Sequence, residues 1–295
     1  MKTQIVAHLL PQEIDWFEWQ IKQLKIGSSL LTEDDKVLLD VTLNLNLVDW
    51  DSSSIPKQFF VDKFLQIEEL CDWCETNFIV DMQNICLGCN DKRRSAIKES
   101  TSDNILYLDT DIIFRPELLK VMMEAAKRVE SPYYILSPQI TKLWDNSWDC
   151  LVNQDEVSLP PSQDYKKLDP FIFTAVKTME VFSLKPIEEF KFGGGWFNLL
   201  STKLLKLTDV PDSLGPYGLD DTYVMYCCNI LARENYDIQQ YVLDGCVIAE
   251  NMKYRKTPYV NFLKLIDKKE EFTQRSSQHF SEELYLFSGR VSQTS

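Results

Sequence analysis

Short apolar segments alternate with amphipathic segments along the first half of the chain, and this alternation most restricts the folds open to it. Residues 4–9, 36–47 and 105–108 have the apolar runs or period-two patterns of strands. Residues 14–24 and 59–78 instead carry apolar side chains at helical spacing. Strands that alternate with helices build layered folds with a largely parallel sheet. We therefore predict an α/β fold in which helices flank a mainly parallel central sheet.

The composition is that of a folded, acidic chain. Of the 295 residues, 44% are hydrophobic, which suffices for a full core, and the formal net charge is −14. Such an acidic balance opposes charge-driven binding to duplex nucleic acid or anionic membrane. Only two His are present, which excludes His-rich metal sites. No apolar run reaches the length of a membrane span and the N-terminus lacks signal-peptide features, so we expect a cytoplasmic chain with reduced cysteines.

Two aspartates follow the apolar segment at residues 105–108. Asp109 and Asp111 stand two residues apart, where the carboxyl edge of a parallel sheet binds ligands. Neighbouring carboxylates repel each other unless a cation joins them, and Mg²⁺ or Mn²⁺ prefers such oxygen ligands. The motif therefore predicts a divalent-cation site. The structural alternative is a polar strand end with Asp111 capping the segment that follows.

Two further motifs lie later in the chain. Three of the nine glycines stand together at residues 193–195, and Trp196 follows them. Such a cluster marks a backbone that turns tightly or approaches a ligand. Further on, Gly218 precedes the acidic pair Asp220 and Asp221. Asp-x-Asp, a Gly-rich loop and an acidic pair at a helix start, in this order, resemble GT-A fold nucleotide-sugar glycosyltransferases, especially the family 2-like group and inverting members such as the β-1,4-galactosyltransferases.

On the donor side, the resemblance implies that Asp109 and Asp111 hold Mn²⁺ or Mg²⁺. Asp109 and Thr110 would also contact a nucleoside diphosphate sugar. Metal sites of this fold often take a third ligand, commonly His, from a later strand, and this chain has no His at the matching place. Glu250 or Asn251 is the candidate there, which departs from the family pattern.

On the acceptor side, the resemblance implies that Asp221 is the base that takes the proton from the acceptor hydroxyl. Asp220 would hydrogen-bond the acceptor. Gly194, Gly195 and Trp196 would line the acceptor site, where the flat indole offers a platform for a sugar ring. Simple N-capping by the acidic pair and a buried core tryptophan are the alternatives.

A basic triplet precedes the Asp-x-Asp strand. Lys92, Arg93 and Arg94 form the densest basic run in this acidic chain, at a predicted helix over residues 92–100. Family 2-like enzymes carry a basic or amide-bearing helix start there, and Arg can bind phosphate bidentately. The triplet is therefore a candidate nucleotide contact, with a solvated helix face as the alternative. His8, just after the first strand, is a candidate for the same ligand or a structural histidine.

Four cysteines form two Cys-x-x-Cys pairs: Cys71, Cys74, Cys86 and Cys89. This spacing is typical of a structural zinc site. The first pair lies inside the predicted helix over residues 59–78, where Cys behaves as a small apolar residue. Both readings stay open.

The motifs span most of the chain in the order of one domain. We predict a GT-A catalytic domain over residues 1–252, with a proline-rich variable region at 145–190 on the acceptor side. Residues 253–295 are charged and amphipathic and are predicted to form a peripheral helical extension.

The sequence thus predicts a metal-dependent glycosyltransferase. The donor would be a nucleoside diphosphate sugar, with UDP-sugar as the first choice, and the acceptor a glycan hydroxyl, with inversion preferred over retention. The second choice is a phage-type DNA glycosyltransferase acting on a hydroxymethylated base, which the acidic balance opposes. The third is a non-catalytic module that binds a nucleotide or sugar.

Overall fold

The computed structural model of the chain describes residues 1–9, 13–44, 57–81, 89–141, 152–153, 176–188, 190, 195–250 and 262–293. The strands are β1 (Lys2–Leu9), β2 (Lys36–Asn44), β3 (Glu75–Asp81), β4 (Asn104–Leu108), β5 (Ile112–Ile113), β6 (Tyr133–Thr141), β7 (Val152–Asn153), β8 (Lys177–Pro186), β9 (Trp196–Ser201) and β10 (Ile238–Glu250). The helices are α1 (Ile14–Ser28), α2 (Lys57–Leu70), α3 (Cys89–Glu99), α4 (Leu118–Ala126), α5 (Thr202–Thr208), α6 (Asp220–Arg233) and α7 (Phe262–Ser292).

The strands form one sheet in the order β3-β2-β1-β4-β9-β6-β10-β5, with β7 beside β6 and β8 beside β10. β1 pairs in parallel with β2 and with β4, and β6 pairs in parallel with β10. β9 runs antiparallel between β4 and β6. The prediction of an α/β fold with a mainly parallel central sheet flanked by helices is confirmed. Because β9 is reversed, its first residues lie beside the carboxyl end of β4.

Each face of the sheet buries its own apolar cluster, because successive side chains of a strand point to opposite faces. Ile5 of β1 and Leu106 of β4 belong to the cluster that also contains the apolar face of α1. Val6 and Tyr107, their neighbours in sequence, belong to the cluster packed with residues of α3, α5 and α6. The two layers of helices therefore cover the two faces of the central strands.

The predicted helix over residues 59–78 is wrong in its second half. α2 ends at Leu70, and β3 begins at Glu75 and pairs in parallel with β2. Three β-branched residues favour the extended conformation there: Thr76, Ile79 and Val80. The turn at residues 71–74 separates the two elements, so Cys71 and Cys74 do not lie inside a helix as expected.

The C-terminal helix α7 is not peripheral, in contrast to the expectation for residues 253–295. Phe287 and Val291 are buried in the cluster on the α6 face of the sheet. Phe287 also meets Tyr223 of α6 edge to face, with ring centroids 6.4 Å apart. Although α7 is 31 residues long, no helix in the described ranges combines the length and apolarity that a membrane crossing requires.

The substitution Phe287→Ala is expected to lower the free energy of unfolding by about 3–5 kcal/mol, because it leaves a cavity in a packed core. Phe287 is 2% exposed, whereas Tyr285 on the same helix is 78% exposed. Tyr285→Ala is the matched control and should change the free energy by no more than about 0.5 kcal/mol. Denaturant titration of both variants measures the difference, and equal losses would show that α7 does not pack as described.

Candidate active site

The Asp-x-Asp turn and the Gly-rich segment meet at the carboxyl end of β4. The backbone N–H of Asp109 donates to the carbonyl oxygen of Gly195 at 2.9 Å. Trp196 pairs with Leu108 across a register shift between β4 and β9. Strand pairing therefore brings two motifs that lie far apart in sequence to one edge of the sheet.

Arg93 joins this edge to the acidic pair at the start of α6. Its Nη1 lies 2.5 Å from Asp220 Oδ2, and its Nη2 lies 3.6 Å from Asp109 Oδ1. The guanidinium carbon stands 4.8 Å from the ring centroid of Tyr107, within the range of a cation–π contact. One largely buried cation thus connects the Asp-x-Asp turn with the acidic pair.

Gly195 has no room for a side chain. A Cβ placed there would lie 2.0 Å from Asp109 Oδ1 and 2.8 Å from Arg93 Nη2. Both distances are shorter than any real Cβ contact. The residue is therefore glycine because the Asp109 carboxylate and the Arg93 guanidinium pack directly against its backbone.

Asp221 lies in a buried environment at the first turn of α6. Burial raises the pKa of its carboxyl and the charge of Asp220 adds to the rise, while the hydrogen bonds from Thr222 and the Arg93 charge oppose it. Together these effects bring the pKa to about 6. The backbone N–H and hydroxyl of Thr222 both donate to Oδ1, at 2.6 and 3.2 Å. Among the described residues no group donates to Oδ2, which leaves this oxygen for a ligand.

The backbone adopts left-handed conformations beside both acceptor-side motifs. Leu219, directly before the acidic pair, has a φ of 59°, and Phe197, directly after Trp196, has a φ of 64°. Bulky residues rarely adopt positive φ, and each such position costs about 1–3 kcal/mol. Strain of this kind clusters at functional sites, where the surrounding structure holds it in place.

The loop before the acidic pair is held by α3. Arg94 is buried, and its guanidinium donates to the carbonyl oxygens of Pro211 and Gly215 at 3.2 Å. Asn90 donates from its backbone to Pro216 and from its side chain to Gly218, both at 3.0 Å. These contacts give Arg94 a loop-positioning role, and its contact with a nucleotide stays a prediction.

His8, a predicted nucleotide contact, lies close enough to Lys92 and Arg93 for their charges to act on it. Both imidazole nitrogens of His8 are buried and have no hydrogen-bond partner within the described part of the chain. Burial, followed by the charges of Arg93 and Lys92, lowers the pKa of His8 to about 3. The imidazole is therefore neutral, and a buried ring with two unsatisfied nitrogens fits a residue that completes its bonds with a ligand.

The Asp-x-Asp turn fits a hard divalent cation. Asp109 and Asp111 offer carboxylate oxygens, and Mg²⁺ or Mn²⁺ sites use one or two carboxylates together with substrate phosphates. Within the described ranges no three His, Cys, Asp or Glu residues group into a complete metal site. Glu250 pairs with Ile112 through the backbone, so the end of β10 reaches the turn. Asn251 lies outside the described residues.

Three further predictions are placed only in part. Trp196 is partly buried and packs against the α1-side core cluster, so both of its proposed roles stay open. Gly194 and Cys86 lie outside the described residues, and nothing is described for the side chain of Cys89. Cys71 and Cys74 are free thiols in the turn before β3. The zinc site therefore stays a prediction.

Sequence reasoning missed the residues that support the site. Gln20 of α1 donates to the carbonyl oxygens of Asp109 and Ile112, and Glu13 accepts from the hydroxyl of Thr110 at 2.5 Å. No sequence signal marks Gln20, because its contacts depend on how α1 packs against the sheet. Asn90 lies two residues before the basic triplet, and an amide at this helix start is the sequence signal that marks it.

No protein-family model matches the chain, and no curated protein matches its sequence. Among solved structures, S. aureus TarS 1-349 in complex with UDP-GlcNAc is 14% identical with a TM-score of 0.49, covering 97% of this chain and 71% of that chain. S. aureus TarS is 15% identical with a TM-score of 0.44, covering 85% of this chain, which spans 36% of TarS. The mannosyltransferase PcManGT from Pyrobaculum calidifontis, in complex with GDP-Man and Mn²⁺, is 11% identical with a TM-score of 0.47, covering 86% of this chain and 58% of that chain. These similarities assign neither substrate nor activity to this chain.

The substitution Gly195→Ala is expected to lower the free energy of unfolding by about 1–3 kcal/mol, because the added methyl group displaces Asp109 and Arg93. Gly289→Ala in α7 is the matched control, since a Cβ there meets nothing within 4 Å. That control should be neutral or stabilising, by up to about 1 kcal/mol, because Ala favours a helix. Thermal unfolding of both variants tests the packing, and a fully stable Gly195→Ala protein would contradict it.

Proposed function

We propose that this chain is a metal-dependent glycosyltransferase. It transfers a sugar from a nucleoside diphosphate sugar, with UDP-sugar as the first choice, to a glycan hydroxyl with inversion at the anomeric carbon. The observation that carries the proposal is the pairing of Arg93 with both Asp109 and Asp220. This pairing brings Asp109, a candidate metal ligand, close to Asp220, which directly precedes the candidate base Asp221. Such proximity is what a direct transfer between two substrates requires.

On the donor side, Asp109 and Asp111 would hold Mg²⁺ or Mn²⁺ through their carboxylate oxygens. A cation bound there would supply positive charge to the departing diphosphate. Arg93, already beside Asp109, would add a planar, permanently charged donor group suited to phosphate oxygens. Lys92 and the neutral ring of His8 would bind the nucleotide from the adjacent α3 and β1.

On the acceptor side, Asp221 would take the proton of the attacking hydroxyl through Oδ2. The acceptor oxygen then bonds to the anomeric carbon, the bond from that carbon to the diphosphate oxygen breaks, and its electron pair leaves with the diphosphate. Asp220 would orient the acceptor by a hydrogen bond. A carboxyl whose pKa is raised to about 6 can both accept this proton and be ionised at neutral pH.

Calorimetry with UDP, in the presence and absence of Mn²⁺, tests the donor side of the proposal. UDP release over a panel of UDP-sugars and glycan acceptors then tests transfer. Tight UDP binding that needs Mn²⁺, followed by acceptor-dependent UDP release, supports the proposed function. Salt-sensitive binding to DNA with transfer to hydroxymethylated bases would replace the glycan by a DNA acceptor, and binding without any transfer would indicate a non-catalytic module.

Asp221→Asn should lower the rate of transfer by about 10²–10⁴-fold, because the amide cannot accept the acceptor proton. UDP binding in the presence of Mn²⁺ should be unchanged. Asp109→Asn should abolish transfer and weaken Mn²⁺-dependent UDP binding as well. Asp244→Asn, which removes a surface ion pair with Lys185, is the control and should leave both measurements at the wild-type value. Near-normal transfer by either site variant would overturn the role assigned to that residue.

The pH profile of kcat/KM should follow the ionisation of Asp221. A base acts only when it is deprotonated, so a pKa raised to about 6 predicts a plateau above that pH. Below it, the rate should fall about tenfold per pH unit. Asp220→Asn should shift the midpoint to lower pH, because the Asp220 charge contributes to the raised pKa of Asp221. A flat profile between pH 5 and about pH 8 would exclude Asp221 as the base.

A further inference from the structure

Gln20 is a polar side chain in an apolar helix face. It lies on α1 beside Phe17, Ile21 and Leu24, which are all fully buried, and it is itself 0% exposed. Burying an amide is unfavourable unless its polar atoms find partners. Its Oε1 is buried and has no hydrogen-bond partner among the described residues. Within the described residues, Gln20 therefore makes hydrogen bonds through its donor nitrogen and not through its oxygen.

That nitrogen bridges the two ends of the Asp-x-Asp turn. Nε2 donates to the carbonyl oxygen of Asp109 at 3.0 Å and to that of Ile112 at 2.8 Å. The turn is closed independently by the N–H of Ile112, which donates to the same Asp109 carbonyl at 3.3 Å. Because an amide nitrogen carries two hydrogens, both are used on this turn.

The start of α1 holds the middle of the same turn. The hydroxyl of Thr110, the residue between the two aspartates, donates to Glu13 at 2.5 Å. Glu13 is the residue directly before α1, and Gln20 lies in the helix itself. Asp109, Thr110 and Ile112 are thus all bonded to α1 or to the residue that precedes it.

We propose that Gln20 is a positioning residue that sets the carboxylates of Asp109 and Asp111 for a divalent cation. The inference rests on the proposed function and adds a determinant outside the predicted motifs. The Asp109 carbonyl that Gln20 holds belongs to the peptide directly after Asp109. The N–H of Ile112, which bonds the same carbonyl, belongs to the peptide directly after Asp111. Gln20 therefore fixes the backbone beside both aspartates. Metal sites depend on such support, since the loss of a group that orients the ligands typically lowers metal affinity about 10–100-fold.

Gln20→Met tests this role with a matched control. Methionine keeps the length and volume of the side chain and removes its donor. Gln4→Met is the control, because Gln4 is also buried, at 3% exposed, and its Nε2 donates to Asp40 at 2.9 Å. Gln4 lies on β1 and Asp40 on β2, so this bond does not involve the Asp-x-Asp turn. Mn²⁺ alone is titrated into each full-length protein, with the EPR signal of the unbound ion as the readout and the melting temperature measured in parallel.

The expected result is a rise of about 10–100-fold in the Mn²⁺ dissociation constant for Gln20→Met. Gln4→Met should stay within about twofold of wild type, although both variants lower the melting temperature. Equal Mn²⁺ affinity in wild type and Gln20→Met would overturn the inference. If Gln20→Met does not fold, Gln20→Leu replaces it, because leucine also lacks the donor and carries no charge, and the same two outcomes decide.

The same titration separates this inference from the proposed function. A wild-type protein that binds no Mn²⁺, either alone or in the presence of UDP, overturns the metal-dependent function and, with it, the role of Gln20. If Mn²⁺ binds only with UDP present, the variants are titrated with UDP and the same comparison decides. A wild-type protein that binds Mn²⁺ as tightly as Gln20→Met leaves the proposed function standing and overturns the role of Gln20 alone.

Discussion

The ion pairs of Arg93 are the interaction on which the site depends. A guanidinium has several donors in a rigid plane, so it can contact Asp109 on one side and Asp220 on the other while it stacks on Tyr107. Removing one partner of a buried ion pair typically costs about 3–5 kcal/mol, because a charge is left without compensation. The Asp-x-Asp turn and the acidic pair are therefore tied to each other before any ligand is present.

The backbone directly before the acidic pair is strained, and neighbouring elements support it. The left-handed Leu219 directly precedes the acidic pair, and such a conformation persists only where neighbours hold it. Asn90 from α3 bonds the loop at Pro216 and Gly218, and Ser276 from α7 donates to Tyr217 at 2.9 Å. The C-terminal helix is thus part of the support for the acceptor side, although its sequence suggested an extension.

The sequence predicts the fold class and the proximity of the motifs in space. It does not predict the contacts that support the site. Local periodicity identifies β1, β2, β4 and α1, because each carries its own apolar pattern. It fails for β3, whose β-branched residues follow a helical pattern across a short turn, and for β9, which is stabilised by pairing with distant strands. Arg94 shows a related difficulty, because a basic triplet reveals charge but not burial. Gln20 leaves no signal at all, since its partners are backbone carbonyls brought close by packing.

Asp220 and Asp221 are adjacent in sequence but lie in different environments. A helix start favours the ionised form of a carboxyl by about 0.3–1 kcal/mol. For Asp221, burial prevails: a pKa raised from 3.8 to about 6 corresponds to roughly 3 kcal/mol in favour of the protonated form. Asp220 pairs with the Arg93 cation, whereas Asp221 accepts, within the described ranges, two hydrogen bonds from Thr222. Of two adjacent carboxyls in such different environments, the one without the cation is the better proton acceptor at neutral pH. This difference supports the proposal that Asp221 takes the proton and Asp220 orients the acceptor.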